Sequence, residues 1–290
     1  MQIGNTPSRR EFFKLASVAG SALAVGTVFD AAGLATEAPP EGAPKTLPFP
    51  LGLASYTLRK FDLDQTLAMT QRVGLTHICL KSFHLPLDAS ADEIAAAVAK
   101  VKAAGIDLYG CGVVTMKTDK DVDQAFEYAR AAGMRTIVAA PALEVLPLVN
   151  EKVKQFDIEV AIHNHGPGDK LYPTPESIYQ KVEKLDPRIG LCIDVGHTLR
   201  IGADPIADTE RFADRLLDLH IKDVSAPAPE GKTVEIGRGV IDIPALLRTM
   251  LKIKYRRVAS FEHEKDEQDP LAGLAESVGY IRGALAAIGR

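Results

Sequence analysis

Two stretches of alternating aliphatic and polar residues indicate how this chain folds. Residues 158–165 read Ile-Glu-Val-Ala-Ile-His-Asn-His, and residues 215–222 read Arg-Leu-Leu-Asp-Leu-His-Ile-Lys. Because successive side chains of a β-strand point to opposite faces, His163 and His165 share one face of the first stretch and aliphatic residues share the other. Each stretch therefore predicts a strand with one face toward covering helices and a polar face toward a different space.

Further strand patterns recur along the chain, each followed by a helical pattern. The complete set of predicted strands is residues 51–56, 76–81, 106–112, 135–140, 158–165, 189–195, 215–222 and 256–263. Alternation of strand and helix implies parallel strands joined by right-handed crossovers. Eight such units predict an α/β protein with a single (β/α)8 TIM barrel. A doubly wound open sheet is the alternative, but the first strand lacks the glycine-rich turn that binds phosphate in that fold.

The segment before the first strand has the composition of an export signal and a linker. Residues 8–14 read Ser-Arg-Arg-Glu-Phe-Phe-Lys and precede an apolar run that is too short for a permanent membrane span. This pattern resembles a twin-arginine signal peptide. We therefore expect a cleavable signal at residues 1–38, a Pro-rich linker at 39–50, the barrel at 51–290, and a periplasmic or other extracytoplasmic location without stable membrane insertion after processing.

Composition limits the classes of partner. The chain has 290 residues and a formal net charge of -4, with both signs interspersed. A protein without a basic face is a poor ligand for nucleic acid, so a small molecule is the expected partner, and self-association into a homo-oligomer is left open. The three cysteines, Cys79, Cys111 and Cys192, each fall in a predicted strand, which favours buried free thiols over disulfides.

The polar faces of the last four predicted strands suggest a metal site. In the seventh strand the aliphatic set that begins with Leu217 is expected to face the helices. The opposite faces then bring His163, Asp194, His220 and Glu262 to the carboxyl ends of the strands, where barrel enzymes place their chemistry. Two imidazoles and two carboxylates suit a divalent manganese, cobalt, zinc or iron ion better than calcium.

Several motifs resemble those of a known family, the xylose-isomerase-like barrels. They are Cys-Ile-Asp-Val-Gly-His at 192–197, Leu-His-Ile-Lys-Asp at 219–223, Gly-Arg-Gly-Val-Ile-Asp at 237–242 and Ser-Phe-Glu at 260–262. That family includes sugar-phosphate isomerases and epimerases, ketose 3-epimerases, inosose dehydratases and endonuclease IV nucleases. The resemblance covers the chain from Leu51 onward. It implies that Asp194, His220 and Glu262 are metal ligands and that His197 contacts the substrate.

Two positions differ from the family pattern. Typical isomerases and epimerases carry a glutamate on the fifth strand, where this chain has His163, with His165 as the rival ligand. A metal-bound imidazole cannot move a proton, so the two-carboxylate epimerase mechanism is in doubt. The second position is Lys81, where many relatives have an acidic residue; a cation nearby and partial desolvation would favour its neutral, basic form.

The resulting site predictions fall into three groups. The candidate catalytic residues are Lys81, His197 and Glu262, and the ligands are the four residues of the metal site. Further candidates for contact with the substrate are Tyr56, His84, His165, Lys222 and Arg238.

Three functions are compared on this basis. The leading hypothesis is an exported, metal-dependent enzyme that abstracts a proton beside the carbonyl of a keto sugar, with elimination or hydration at the neighbouring carbon. The alternatives are a sugar isomerase or epimerase, and a non-catalytic exported sugar-binding barrel. A nuclease is least supported, because its site needs more ligands and a basic track for DNA.

Overall fold

The structure, a computed structural model, describes residues 47–289 and contains the predicted barrel. Eight parallel strands close on themselves in the order β1-β10-β7-β6-β5-β4-β3-β2. These strands are β1 (Leu51–Ala54), β2 (His77–Leu80), β3 (Asp107–Met116), β4 (Thr136–Pro141), β5 (Glu159–His163), β6 (Ile189–Asp194), β7 (Leu216–Ile221) and β10 (Ala259–Phe261). The TIM barrel prediction is therefore confirmed. The signal predicted at 1–38, and the linker up to residue 46, lie outside the described residues.

Helices cover the outside of the barrel. They are α1 (Leu63–Arg72), α2 (Ala91–Ala103), α3 (Asp119–Ala131), α4 (Leu146–Phe156), α5 (Pro175–Val182), α6 (Val195–Arg200), α7 (Pro205–Arg211), α8 (Ile243–Lys252) and α9 (Leu271–Ile288). Four of them begin with a capping box, at Asp62, Ser90, Thr118 and Thr174. Such a box satisfies free N–H groups of the first turn and fixes where the helix starts. A short antiparallel pair, β8 (Asp223–Val224) and β9 (Thr233–Val234), lies between β7 and α8.

Apolar side chains form two separate layers. The larger layer fills the space between strands and helices. The smaller layer fills the barrel interior and consists of Cys79, Tyr109, Val138, Ala161, Cys192, Leu217 and Val258. The interior is therefore a packed core and not a pore, as expected for eight strands. All three cysteines are buried and free.

The prediction that Leu217 faces the helices is wrong. The register between β6 and β7 shifts, so that Leu191 pairs with Leu216 whereas Cys192 pairs with Asp218. The additional residue in β7 places Leu217 in the interior layer. A bulge of this kind reverses the direction of the residues on one side of it, while His220 keeps its predicted inward direction.

The last helix, α9, is long and apolar enough, by length and composition, to cross a membrane. Its buried residues include Leu274, Val278, Ile281 and Leu285, which recur every three or four positions and belong to the outer core layer. An amphipathic helix packs an apolar stripe of this kind against the core of its protein. We therefore interpret α9 as the final covering helix of the barrel.

Candidate metal centre

Four buried side chains converge at the carboxyl end of the barrel. His163, Asp194 and His220 lie at or near the ends of β5, β6 and β7, and Glu262 directly follows β10. Each of the four offers a ligand atom, and these atoms all lie within 4.8 Å of one another. The distance from His163 Nε2 to Asp194 Oδ2 is 3.5 Å, and that from His220 Nδ1 to Glu262 Oε2 is 3.4 Å. The structure thus brings together the four residues that the sequence predicts as ligands.

Strand register explains this convergence. Asp194 pairs with His220 across β6 and β7, and His220 pairs with Ser260 across β7 and β10. Glu262 stands two residues beyond Ser260, so its side chain shares the inward face with that serine. Parallel pairing with a small stagger therefore places these groups at one height in the mouth of the barrel.

Most of the ligand atoms in this cluster lack a hydrogen-bond partner. Both ring nitrogens of His163, both ring nitrogens of His220 and Oδ2 of Asp194 are buried without a hydrogen bond. Buried polar atoms in proteins are nearly always bonded. Burial lowers the pKa of His163 to about 3, which keeps its imidazole neutral with a lone pair available. Two nitrogen and two oxygen donors with these properties fit a divalent metal ion of the zinc or manganese type.

Lys222 lies against the carboxylates of this cluster. Its Nζ donates a hydrogen bond to Oε2 of Glu262 at 2.9 Å, contacts Oε1 of Glu264, and lies 2.8 Å from Oδ2 of Asp194 without hydrogen-bond alignment. The side chain is only 2% exposed. Gly196 permits this packing, because a Cβ there would lie 2.5 Å from Cγ of Lys222. The contact of Lys222 with the substrate stays a prediction, and in the structure its ammonium group lies among the acidic groups.

Asp194 also organises the start of α6. Its Oδ1 accepts a hydrogen bond from the backbone N–H of His197 at 2.7 Å, so the carboxylate caps this helix. Burial by itself would raise the pKa of Asp194, but the His197 imidazole and the Lys222 ammonium group outweigh it and hold the pKa below its usual range. The cap leaves Oδ2 directed at the cluster.

Two more imidazoles stand beside the ligand group. His197 Nε2 is 3.9 Å from Oδ2 of Asp194, and the ring centroids of His165 and His163 are 4.6 Å apart. His165 Nδ1 faces Oδ2 of Asp169 at 3.3 Å. His197 and His165 are more exposed than the cluster, with 17% and 37% of their side-chain surface accessible. Among the residues that the structure describes, the ligand group contains His163 and not His165.

Tyr56 and Lys81 lie at the same end of the barrel, on the side of β1 and β2. Nζ of Lys81 is 5.2 Å from the centroid of the Tyr56 ring, and Arg59 lies over the same ring at 4.6 Å. Phe83, which is 48% exposed, lies 6.3 Å from Tyr56, measured between ring centroids. This side of the mouth therefore combines an aromatic surface with positive charge.

Two predicted substrate contacts are engaged elsewhere. His84 is buried, with Nδ1 bonded to Oγ of Ser55 at 2.8 Å and Nε2 bonded to Oγ1 of Thr66 at 3.0 Å. Both of its ring nitrogens are therefore engaged within the protein, one of them with helix α1. Arg238 forms a two-pronged ion pair with Glu276 of α9 at the exposed surface. Neither side chain is directed at the cluster by these contacts.

Other polar groups near the site were not among the predicted site residues. Asp169 and Glu264 lie in loops, where no periodic pattern shows the direction of a side chain. Asp218 lies in the interior, where it accepts a hydrogen bond from the Tyr109 hydroxyl at 3.0 Å. Burial raises its pKa to about 6. The alternation of β7 signalled its inward direction, but not that a tyrosine would satisfy it.

Part of the sequence is similar to two known proteins. The chain is 28% identical over 131 residues to the rhizopine catabolism protein MocC of Rhizobium meliloti, and 26% identical over 129 residues to the inosose dehydratase of Geobacillus kaustophilus (strain HTA426). These matches cover 40% and 39% of this chain. They span 40% and 41% of those proteins, about two fifths of the length of each.

Solved structures share the fold. A crystal structure of the IOLI protein with a binding zinc atom has a TM-score of 0.67 at 18% identity, over 83% of this chain and 98% of that one. At this identity the likeness shows the fold alone. A family model described as the xylose isomerase-like TIM barrel matches residues 57–284. That match covers most of the sequence, and the closed barrel agrees with it, so the chain belongs to the xylose isomerase-like TIM barrel family.

Proposed function

We propose that this protein is a divalent-metal-dependent enzyme that abstracts a proton beside the carbonyl of a keto sugar and promotes elimination or hydration at the neighbouring carbon. The observation that carries the proposal is the buried group of two imidazoles and two carboxylates, in which the ring nitrogens of both imidazoles and Oδ2 of Asp194 have no hydrogen-bond partner. The name of the relative inosose dehydratase supports a dehydration reaction. A bound divalent ion would supply the Lewis acidity that polarises a carbonyl.

The residues around the cluster can move protons. His197 and His165 flank the cluster and are partly exposed. Burial lowers the pKa of both imidazoles below the ordinary histidine value, so both are neutral and can accept a proton near neutral pH. We assign proton abstraction to His197, because it lies next to Asp194. The imidazolium of His197 can then return this proton to the departing hydroxyl group, which leaves as water, while neutral His165 stays beside it and faces Asp169.

The other candidate bases are less free. Glu262 shares Oε2 with Lys222 and His220, so proton transfer would break an ion pair and a ligand contact. Lys81 stands over the Tyr56 ring on the β1 and β2 side of the mouth. We assign Lys81 and Tyr56 to binding of the sugar hydroxyl groups and ring, where a cation beside an aromatic surface suits a polar ring with apolar faces.

The test is turnover of a keto sugar by metal-loaded protein. Protein loaded with manganese, cobalt, zinc or iron is incubated with a 3-keto-glucoside, and the unsaturated product is sought by nuclear magnetic resonance. The proposal predicts product with at least one ion and none after chelation. Absence of product with all four ions would contradict it.

A sugar isomerase or epimerase is the second candidate, because the family contains such enzymes. His163 replaces the second carboxylate of their mechanism, so the second proton transfer would have to use an imidazole outside the ligand group. Epimerisation in deuterated water would place deuterium in recovered ketose. The third candidate, a non-catalytic sugar-binding barrel, predicts protein without a stoichiometric ion.

We also propose that the protein is exported. The paired arginines Arg9 and Arg10 support this proposal.

A further inference from the structure

Lys222 contacts the same oxygen atoms that face the imidazoles of the cluster. Oδ2 of Asp194 lies 3.5 Å from His163 and 2.8 Å from Nζ of Lys222. Oε2 of Glu262 lies 3.4 Å from His220 and 2.9 Å from the same Nζ. The Lys222 ammonium group therefore contacts the same two carboxylate oxygens that a metal ion between the imidazoles would use.

Two cations cannot be held strongly by these oxygens at once. A zinc-type ion binds carboxylate oxygen at about 2.1 Å, so an ion on either oxygen would stand no more than about 5 Å from Nζ. Repulsion between an ammonium group and a divalent ion at that separation is large at a site screened little by water. Lys222 is 2% exposed, so bulk water does not reach it to screen the charge.

Glu264 offers the ammonium group another position. Its Oε1 contacts Nζ of Lys222, it is not one of the four clustered ligands, and 29% of its side chain is exposed. An ammonium group that leaves Asp194 and Glu262 can therefore keep one carboxylate partner while it moves toward solvent. The partner lies on the same segment as Glu262, two residues further along the chain.

We propose that Lys222 is a built-in competitor of the divalent ion: its ammonium group neutralises Asp194 and Glu262, and ion binding displaces it toward Glu264. This inference rests on the metal site of the proposed function. It assigns to Lys222 the role of setting the affinity for the ion. The opposite role, in which Lys222 merely holds the two carboxylates in place for the ion, predicts the opposite effect of its removal.

The experiment measures zinc affinity by competition with a chromophoric chelator. It compares wild-type protein with Lys222→Met, Lys222→Arg and the control Lys265→Met, which removes a lysine paired with Glu235 outside the cluster. Lys222→Met should bind zinc at least about tenfold more tightly, a change of ~1.4 kcal/mol. Lys222→Arg, which keeps the charge, should show no gain, and Lys265→Met should stay close to wild type.

Equal or weaker zinc binding by Lys222→Met would overturn the inference. A second measurement uses only the wild-type protein, in case the variant does not fold without metal. Lysines are reductively methylated with and without zinc, and modification of Lys222 is read by mass spectrometry. Zinc should increase methylation of Lys222, and unchanged or decreased methylation would overturn the inference. If the wild type itself binds no ion, the proposed function fails together with it; if it binds zinc and only the Lys222 results disagree, the proposed function stands.

Discussion

Substitution of His220 is the simplest test of the proposed metal site. It is 2% exposed and both of its ring nitrogens lack hydrogen-bond partners. His220→Ala should weaken metal binding by at least about 100-fold, because even loss of a group outside the ligand shell costs 10- to 100-fold. The control is His77→Ala, because His77 is the first residue of β2 and lies at the end of the barrel opposite to the cluster. Equal affinity of both variants, measured by chelator competition, would remove His220 from the site.

The proton-transfer role of His197 leads to a different signature. Its backbone N–H, and not its side chain, caps Asp194, so His197→Ala keeps the cap. The variant should bind the metal ion about as well as the wild type while kcat falls by about 10²- to 10⁴-fold, the usual contribution of a general base. Steady-state kinetics on the keto sugar would show this. A rise in KM with unchanged kcat would mean that His197 only binds substrate.

The convergence of the candidate ligand residues could be predicted from the sequence because they lie on strands or directly after one. A period of two gives the direction of His163, Asp194 and His220 from their aliphatic neighbours. Asp169 and Glu264 could not be predicted, because a loop has no such period. Lys222 shares its face with His220 in the pattern, but only the structure shows that it turns onto the carboxylates.

At the scale of single elements, the loop after β7 depends on one buried carboxylate. Oδ2 of Asp223 accepts hydrogen bonds from the backbone N–H groups of Gly237 and Gly239 at 3.0 Å each, and Oδ1 accepts one from Ile241 at 3.1 Å. This network joins two of the sequence motifs. It explains why an aspartate follows the strand and why glycines stand in the loop beyond.

Gly239 has no room for a side chain in this loop. A Cβ there would lie 2.1 Å from Oδ1 of Asp223 and 2.5 Å from a backbone oxygen of Val224. Gly239→Ala should lower the free energy of unfolding by about 1–3 kcal/mol, the cost of overpacking. The matched control is Gly279→Ala in α9, where a Cβ meets nothing within 4 Å. That exposed helical change should be neutral or stabilise by up to about 1 kcal/mol.

Urea denaturation of the two glycine variants checks this prediction. Equal stability of both proteins would show that the contact between Asp223 and the loop is loose.

Sequence patterns did not predict the bulge between β6 and β7. This bulge turns Leu217 inward, and no residue type in that strand signals it. Register depends on both strands of a pair, and a sequence pattern describes only one at a time.

At the scale of the whole molecule, the four candidate metal ligands lie at the ends of four different strands of the barrel. These four residues, the first of which is His163 and the last Glu262, meet only when β5, β6, β7 and β10 are assembled in order. An ion that binds the folded barrel and not the unfolded chain stabilises the fold by about 2.7 kcal/mol at a concentration of 100 times its Kd. Zinc should therefore raise the Tm of the wild type, and His220→Ala should lose most of that shift in a thermal scan.

The fold as a whole could be predicted from the alternation of strands and helices. Closure into a barrel could be inferred because the sequence contains eight strand–helix units, which is the number in a TIM barrel. The export signal stays a prediction. Replacing Arg9 and Arg10 with lysine should leave uncleaved precursor inside bacterial cells, measured by fractionation and mass spectrometry. Cleaved protein outside the cytoplasm in both forms would exclude the twin-arginine route.

One divalent ion per folded chain is the property on which the proposed site depends. Elemental analysis of protein purified without chelators, together with its His220→Ala variant, tests it. We expect close to one equivalent of a transition metal per wild-type chain and a large loss in the variant. Wild-type protein without a stoichiometric ion, even after incubation with manganese, cobalt, zinc and iron, would contradict it.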